Sequence, residues 1–138
     1  QTVSVIDGNT MKGENVLHLP SRPISMKLDS KKQRLYVLCT DQSQGVLAVY
    51  NTSTNQKVSE ISIRSDASDL AIDPFGHRIY VISTGDQENG HLQVINSRNS
   101  KNIQTVKLGA EPVDVVINRR TRRLFILNFL QPAVTVIK

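Results

Sequence analysis

Apolar side chains come in short bursts along this chain, and within several bursts they alternate with polar ones. Ile24, Met26 and Leu28 interleave with Ser25 and Lys27, and Val58-Ser59-Glu60-Ile61-Ser62-Ile63 has the same character. A period of two puts successive side chains on opposite faces of an extended chain, so these bursts predict half-buried β-strands. Turn-forming residues fill the gaps: Asp7-Gly8-Asn9, Pro74-Phe75-Gly76, Asn89-Gly90 and Gly109-Ala110-Glu111-Pro112. No window sustains a 3.6-residue period, so no helix is expected.

The bursts also repeat. RLYVLCT (Arg34 to Thr40) returns as RIYVIST (Arg78 to Thr84) and as RLFILNF (Arg123 to Phe129), at intervals of 44 and 45 residues. VSVID, LAVYN, LQVIN and VTVIK begin at Val3, Leu47, Leu92 and Val134, and a third series runs SMKLDS, DLAIDP, DVVINR from Ser25, Asp69 and Asp114. The chain is therefore about three copies of one unit, at approximately 3–46, 47–91 and 92–134, with the start of a fourth at 134–138.

Four short strands per 40–50 residues mark a β-propeller blade. Strands are named A to D from the central channel outward. Strand A is expected at Ile24–Asp29, Leu70–Asp73 and Val113–Asn118, and strand B at Leu35–Cys39, Ile79–Ser83 and Leu124–Asn128. Strand C falls at Val3–Ile6, Leu47–Tyr50, Leu92–Ile95 and Val134–Ile137, and strand D at Asn15–Leu19, Lys57–Ile63 and Asn102–Leu108. The fold class is all-β: a propeller segment of about three four-stranded antiparallel blades.

The pattern of VxVID, then an apolar-Ala-apolar-Asp-Pro-x-Gly-x-Arg-apolar-Tyr-Val stretch, resembles the YVTN family of β-propeller repeats. DASDLAIDPFGHRIYVI (residues 66–82) and VSVIDGNT carry the likeness most clearly. The third copy departs from it, with Asn118-Arg119-Arg120-Thr121-Arg122-Arg123 in place of the Asp-Pro-x-Gly-x-Arg turn. Such repeats occur in archaeal surface-layer proteins and in bacterial secreted or periplasmic ones. The resemblance thus implies an extracytoplasmic protein, although no signal segment is present in this chain.

In each copy an Asx residue ends strand A and an arginine follows five residues later: Asp29 and Arg34, Asp73 and Arg78, Asn118 and Arg123. The Asx side chain can accept backbone N–H groups of the A–B turn. The arginine can pair with it or with a carbonyl of the adjacent blade. A fold-stabilising group is needed in every blade, whereas a catalytic group is needed once, so these are structural turn pairs. By the same logic Tyr36, Tyr80 and Phe125, equivalent positions of strand B, pack between blades. The single cysteine, Cys39, lies inside an apolar strand and is expected as a small buried hydrophobe.

Thirteen strands make slightly over three blades, whereas rings close with roughly four to eight. The arc is expected to belong to a larger six- to eight-bladed propeller, or to be completed by a second copy. Both ends are strand C, which favours the former, and a chain beginning with Gln1 is expected to be a processed product or an excised fragment. An arc also leaves an unpaired edge.

The net charge of +5 hides an uneven distribution. In a propeller the A–B and C–D turns share one face, and here that face holds twelve cations against four anions, or +8; the opposite face holds six anions (Asp41, Asp66, Asp69, Asp86, Glu88 and Glu111) against two cations, or −4. Lys31, Lys32, Arg119, Arg120, Arg122 and Arg123 form the candidate surface for a polyanion or partner.

No catalytic constellation, cofactor motif or metal site is expected. His18, His77 and His91 fall on different parts of the blades. Asp86-Gln87-Glu88-Asn89-Gly90 has the composition of a calcium loop without the alternating ligand spacing. Asn51-Thr52-Ser53 fits a glycosylation sequon. No apolar run approaches the ~20 residues of a transmembrane helix. Three functions fit: a non-enzymatic scaffold for protein–protein or surface interaction, a binder of polyanions or nucleic acid through the basic face, or a non-catalytic stretch of a propeller enzyme.

Overall fold

The computed structural model describes residues 1–85, 89–130 and 133–138. The possible calcium loop at 86–90 falls largely outside them. Thirteen antiparallel strands run along the described residues in four separate sheets. The first sheet pairs β1 (Thr2–Ile6) with β2 (Gly13–His18), the C and D positions of a blade. The second holds β3 (Arg22–Asp29), β4 (Arg34–Thr40), β5 (Gly45–Asn51) and β6 (Lys57–Ile63), hydrogen-bonded in sequence order. The third repeats this with β7 (Ala67–Asp73), β8 (Arg78–Ser83), β9 (His91–Asn96) and β10 (Asn102–Lys107). The fourth has β11 (Pro112–Asn118), β12 (Arg123–Asn128) and β13 (Ala133–Ile137).

Continuous apolar runs such as Leu35–Cys39 and Ile79–Ile82 give the inner sheets two apolar faces, and neighbouring sheets bury their facing sides in three seams. Leu17 of the first sheet meets Val37, Cys39, Ala48 and Tyr50 of the second. Tyr36, Leu38 and Leu47 meet Leu70, Ile79 and Ile95 of the third. Tyr80, Ile82 and Leu92 then meet Val115, Leu124 and Ile126 of the fourth. Tyr36 and Tyr80 thus lie in the seams, as their equivalence suggested. Cys39 is fully buried, and burial pushes its thiol pKa up.

The A strands β3, β7 and β11 lie side by side along the inner edge. Each carries a bulge at the same place, at Ile24, Ser68 and Val113, where the partner strand skips one residue. The D-side pairings are bulged too, at Glu14, Val58 and Ile103. A bulge re-aims the side chains beside it and increases local twist.

Candidate functional site

The A–B and C–D turns of a blade are joined on one face, where the Thr52 amide donates to the Gln33 carbonyl at 3.1 Å and the Ser97 amide to His77 at 2.9 Å. The connections of the opposite face are tied likewise, as in the bond from the Thr84 amide to the Asp66 carbonyl at 3.0 Å. All six turns of the first face share one design. Asx Oδ1 accepts amides two or three residues on: Lys32 to Asp29 (3.1 Å), Phe75 to Asp73 (3.1 Å), Arg120 and Thr121 to Asn118 (3.0 and 3.1 Å). Asp7, Asn51 and Asn96 do the same in the C–D turns, taking Asn9, Ser53 and Arg98 amides at 2.7–2.8 Å.

Four residues after each Asx the backbone turns left-handed, at Met11, Gln33, Asn55, His77, Ser100 and Arg122. The C–D members had a legible signal, since Asp7, Asn51 and Asn96 recur at intervals of 44 and 45.

Arg34, Arg78 and Arg123 stand directly across from Asp29, Asp73 and Asn118 in the strand register. Among the described residues no ion pair joins them. Arg34 Nη1 instead donates to the carbonyls of Lys32 and Gln33 in its own turn, at 3.4 and 3.2 Å.

The basic face divides into two parts. Arg119, Arg120, Arg122 and Arg123 are exposed on the fourth blade's turn, with Arg122 in the left-handed conformation. Lys31 and Lys32 belong to the second blade and reach the third: Lys31 Nζ sits 4.0 Å above the Phe75 ring. Lys32 Nζ lies 2.9 Å from His77 Nδ1 and 3.0 Å from Ser97 Oγ. Arg98 Nη2 contacts the other ring nitrogen of His77, Nε2, at 2.6 Å. Partial burial, then the charges of Arg98 and Lys32, lower the His77 pKa, against a weaker pull from Asp73 and Asp29. Beside this cluster a cleft of about 580 Å³ opens between the second and third blades, lined by Lys32, Arg34, Ser97 and Arg98 with apolar walls. An equivalent cleft of about 550 Å³ lies between the third and fourth.

A second polar group lies on the inner edge and corrects the expected charge map. Asp69, expected among the loop charges of the opposite face, lies within β7 and is buried. Its Oδ1 accepts from Ser25 Oγ at 2.6 Å and faces Lys27 Nζ at 3.5 Å, while Oδ2 accepts the Val115 amide at 3.1 Å. Ser25, Asp69 and Asp114 hold one position of the repeat, and each follows its strand's bulge. Asp114 shares a hydrogen bond with Asp69, which, with some burial and the Asp69 charge, raises the Asp114 pKa. Burial works to raise that of Asp69, but bonds from Ser25, backbone amides and Asp114 outweigh it and hold it low. Among the described residues no three metal-type ligands gather.

No protein-family profile matches the chain, and no curated protein matches it in sequence. Solved structures do resemble it. Hydrazine synthase of Kuenenia stuttgartiensis superposes with a TM-score of 0.81 at 18% identity, covering 91% of this chain and 37% of that one. The Dos1 propeller covers 99% of this chain and 42% of its own at a TM-score of 0.63 and 13% identity. The chain is a β-propeller segment. U3-55K agrees, at a TM-score of 0.64 and 13% identity, with 99% of this chain and 45% of its own covered. This segment spans less than half the length of each of these structures, and identities this low carry the fold alone.

Proposed function

We propose that this segment is a non-enzymatic scaffold of the YVTN-repeat kind that engages protein partners outside the cytoplasm. One observation carries the reading. Positions that the inner copies bury between blades lie open at both ends of the arc. Met26 is 54% exposed where its equivalent Leu70 is 0%, and Leu127 is 48% exposed where Ile82 is 0%. Leu28, Val116, Val134 and Val136 are exposed in the same way. Exposed apolar side chains of this kind at each end fit a protein partner with a blade-like face, whether further blades or a second copy. The YVTN resemblance supports the extracytoplasmic setting.

The test is the mass of the folded chain in solution at micromolar concentration. We expect more than the 15.4 kDa of one chain, returning to that value in Met26→Lys or Leu127→Lys. A folded 15.4 kDa monomer that binds no hydrophobic dye overturns the reading.

Polyanion binding is a second reading, favoured by the cations gathered around His77. Salt-titrated binding to DNA, heparin and anionic vesicles tests it. Phosphate contacts are strongest at low salt, so absence of binding at ~50 mM removes it.

A further inference from the structure

We propose that the cleft between the second and third blades is a binding site for a phosphate-type oxyanion carrying a small apolar substituent. The chemistry of the cluster beside it is unbalanced. A neutral imidazole has one acceptor nitrogen, and the other carries hydrogen. Lys32 and Arg98 only donate, yet each faces one ring nitrogen of His77, at 2.9 and 2.6 Å. In either tautomer one cation therefore meets an N–H, and protonating the ring would make both contacts repulsive. Ser97 Oγ accepts from Lys32 at 3.0 Å, which still leaves donors in excess. Arg34 adds a third cation to the cleft, and among the described residues no carboxylate pairs with any of the three. Asp29 and Asp73 are the nearby anions, and each has an oxygen taken by an amide of its own turn.

Comparison of the copies shows that the fold does not require this cluster. His77 and Arg98 occupy the positions held in the second blade by Gln33 and Ser53, which make a neutral hydrogen bond at 2.8 Å. The supporting backbone bond between the two turns is the same in both blades. The positions equivalent to Lys32 are Gly76 and Thr121. A neutral pair thus closes the turns equally well. The third copy puts Arg122 at the His77 position, and the equivalent cleft there holds Arg78, Arg122 and Lys138 beside Asp73, so cations recur, but an imidazole held between two of them with no carboxylate in the lining is written once. Single use is the mark of a ligand site, whereas turn fixation recurs. An oxyanion supplies the missing acceptors as charge-assisted hydrogen bonds. The cleft wall beyond the cations is apolar, from Val58, Ile61 and Ile79, and suits an uncharged substituent.

The proposal stands apart from the scaffold reading, which solution mass tests. Here the folded chain is titrated calorimetrically with inorganic phosphate and with phenyl phosphate at low salt. Both are expected to bind, phenyl phosphate more tightly. Lys32→Thr and Arg98→Ser, which install residues the other copies already carry, are expected to weaken binding about tenfold each, the loss of one charge-assisted bond. Arg119→Gln, on the fourth blade, is expected to change it less than about twofold. Circular dichroism checks that each variant is folded. Equal losses in all three variants would show diffuse attraction by the basic face and overturn the site. So would no binding of either ligand at about 5 mM, an affinity too weak for three converging cations. Equal affinity for the two ligands overturns the substituent. Inorganic phosphate binding as tightly as expected while the phenyl ester is excluded overturns it too.

Discussion

Asp69 holds together more of this molecule than any other side chain described. Its carboxylate accepts from Ser25 on β3 and from the Val115 amide on β11 while sitting on β7, so one group spans three blades. Asp114 lies beside it, and each carboxyl shifts the ionisation of the other. The Asp69 pKa is lowered, so its contribution to stability is present above the unfolded value and is lost as pH falls through the folded one. That of Asp114 is raised, so its contribution is present below the unfolded value and is lost as pH rises through the folded one. The contribution of the pair should therefore be largest around the ordinary carboxylate value, between the lowered and the raised one, and decline on both sides. Asp114→Asn keeps a donor for Asp69 and removes the ionisation, so its melting temperature should stop falling on the alkaline side. A pH–melting profile superimposable on that of the unmodified chain would refute this. Asp69→Asn should cost about 1–3 kcal/mol at neutral pH, measured by urea unfolding, because the charged acceptor of three contacts is lost.

At the level of elements, the turns explain why so regular a repeat tolerates such varied loops. Six hairpins close by one device: an Asx acceptor and a left-handed residue four positions on. Side chains with Cβ pay roughly 1–2 kcal/mol for that conformation, and glycine does not. Met11 has φ of 57° and points into solvent. Met11→Gly should thus stabilise the chain by about 0.5 kcal/mol or more after glycine's own entropy cost, and an unchanged or lower urea midpoint would contradict the account. The strands themselves were legible, because period-two alternation and the 44- and 45-residue intervals survive in the bare sequence. The bulges were not. Ile24 and Val113 are branched aliphatics but Ser68 is a small hydroxyl, so the register shift common to all three has no shared residue type to mark it. Missing the bulges meant missing where Asp69 points. The Asx turns were half legible: the acceptor was evident, but among the described residues no ion pair joins it to the arginine opposite, and Arg34 bonds to its own turn.

For the whole molecule, stability is set seam by seam, since each blade buries its faces only against its neighbours. Ile82 and Leu127 hold the same position in successive blades, one inside a seam and one at the open end. Ile82→Ala should cost about 2–5 kcal/mol in chemical unfolding. Leu127→Ala should fall within about 0.5 kcal/mol for the chain held monomeric by high dilution. Equal costs would mean that the end face is covered. That the A–B and C–D turns share a face was visible in the sequence once the turns had been assigned. The cluster at His77 was not, because Lys32 and Arg98 are 66 residues apart and meet only through the packing of two blades.

The chain along the inner edge also fixes the order in which the copies must come. Reading from β3 to β11, the repeated position supplies a hydroxyl, a carboxylate and a second carboxyl, and each bond depends on which neighbour stands on which side. Duplicating the third blade would set three acids in a row where two now stand side by side. Deleting it would bring Ser25 up to Asp114 and leave the Val115 amide without its acceptor. Copies that look interchangeable as text are therefore not interchangeable as parts, because this one position carries a different partner in each.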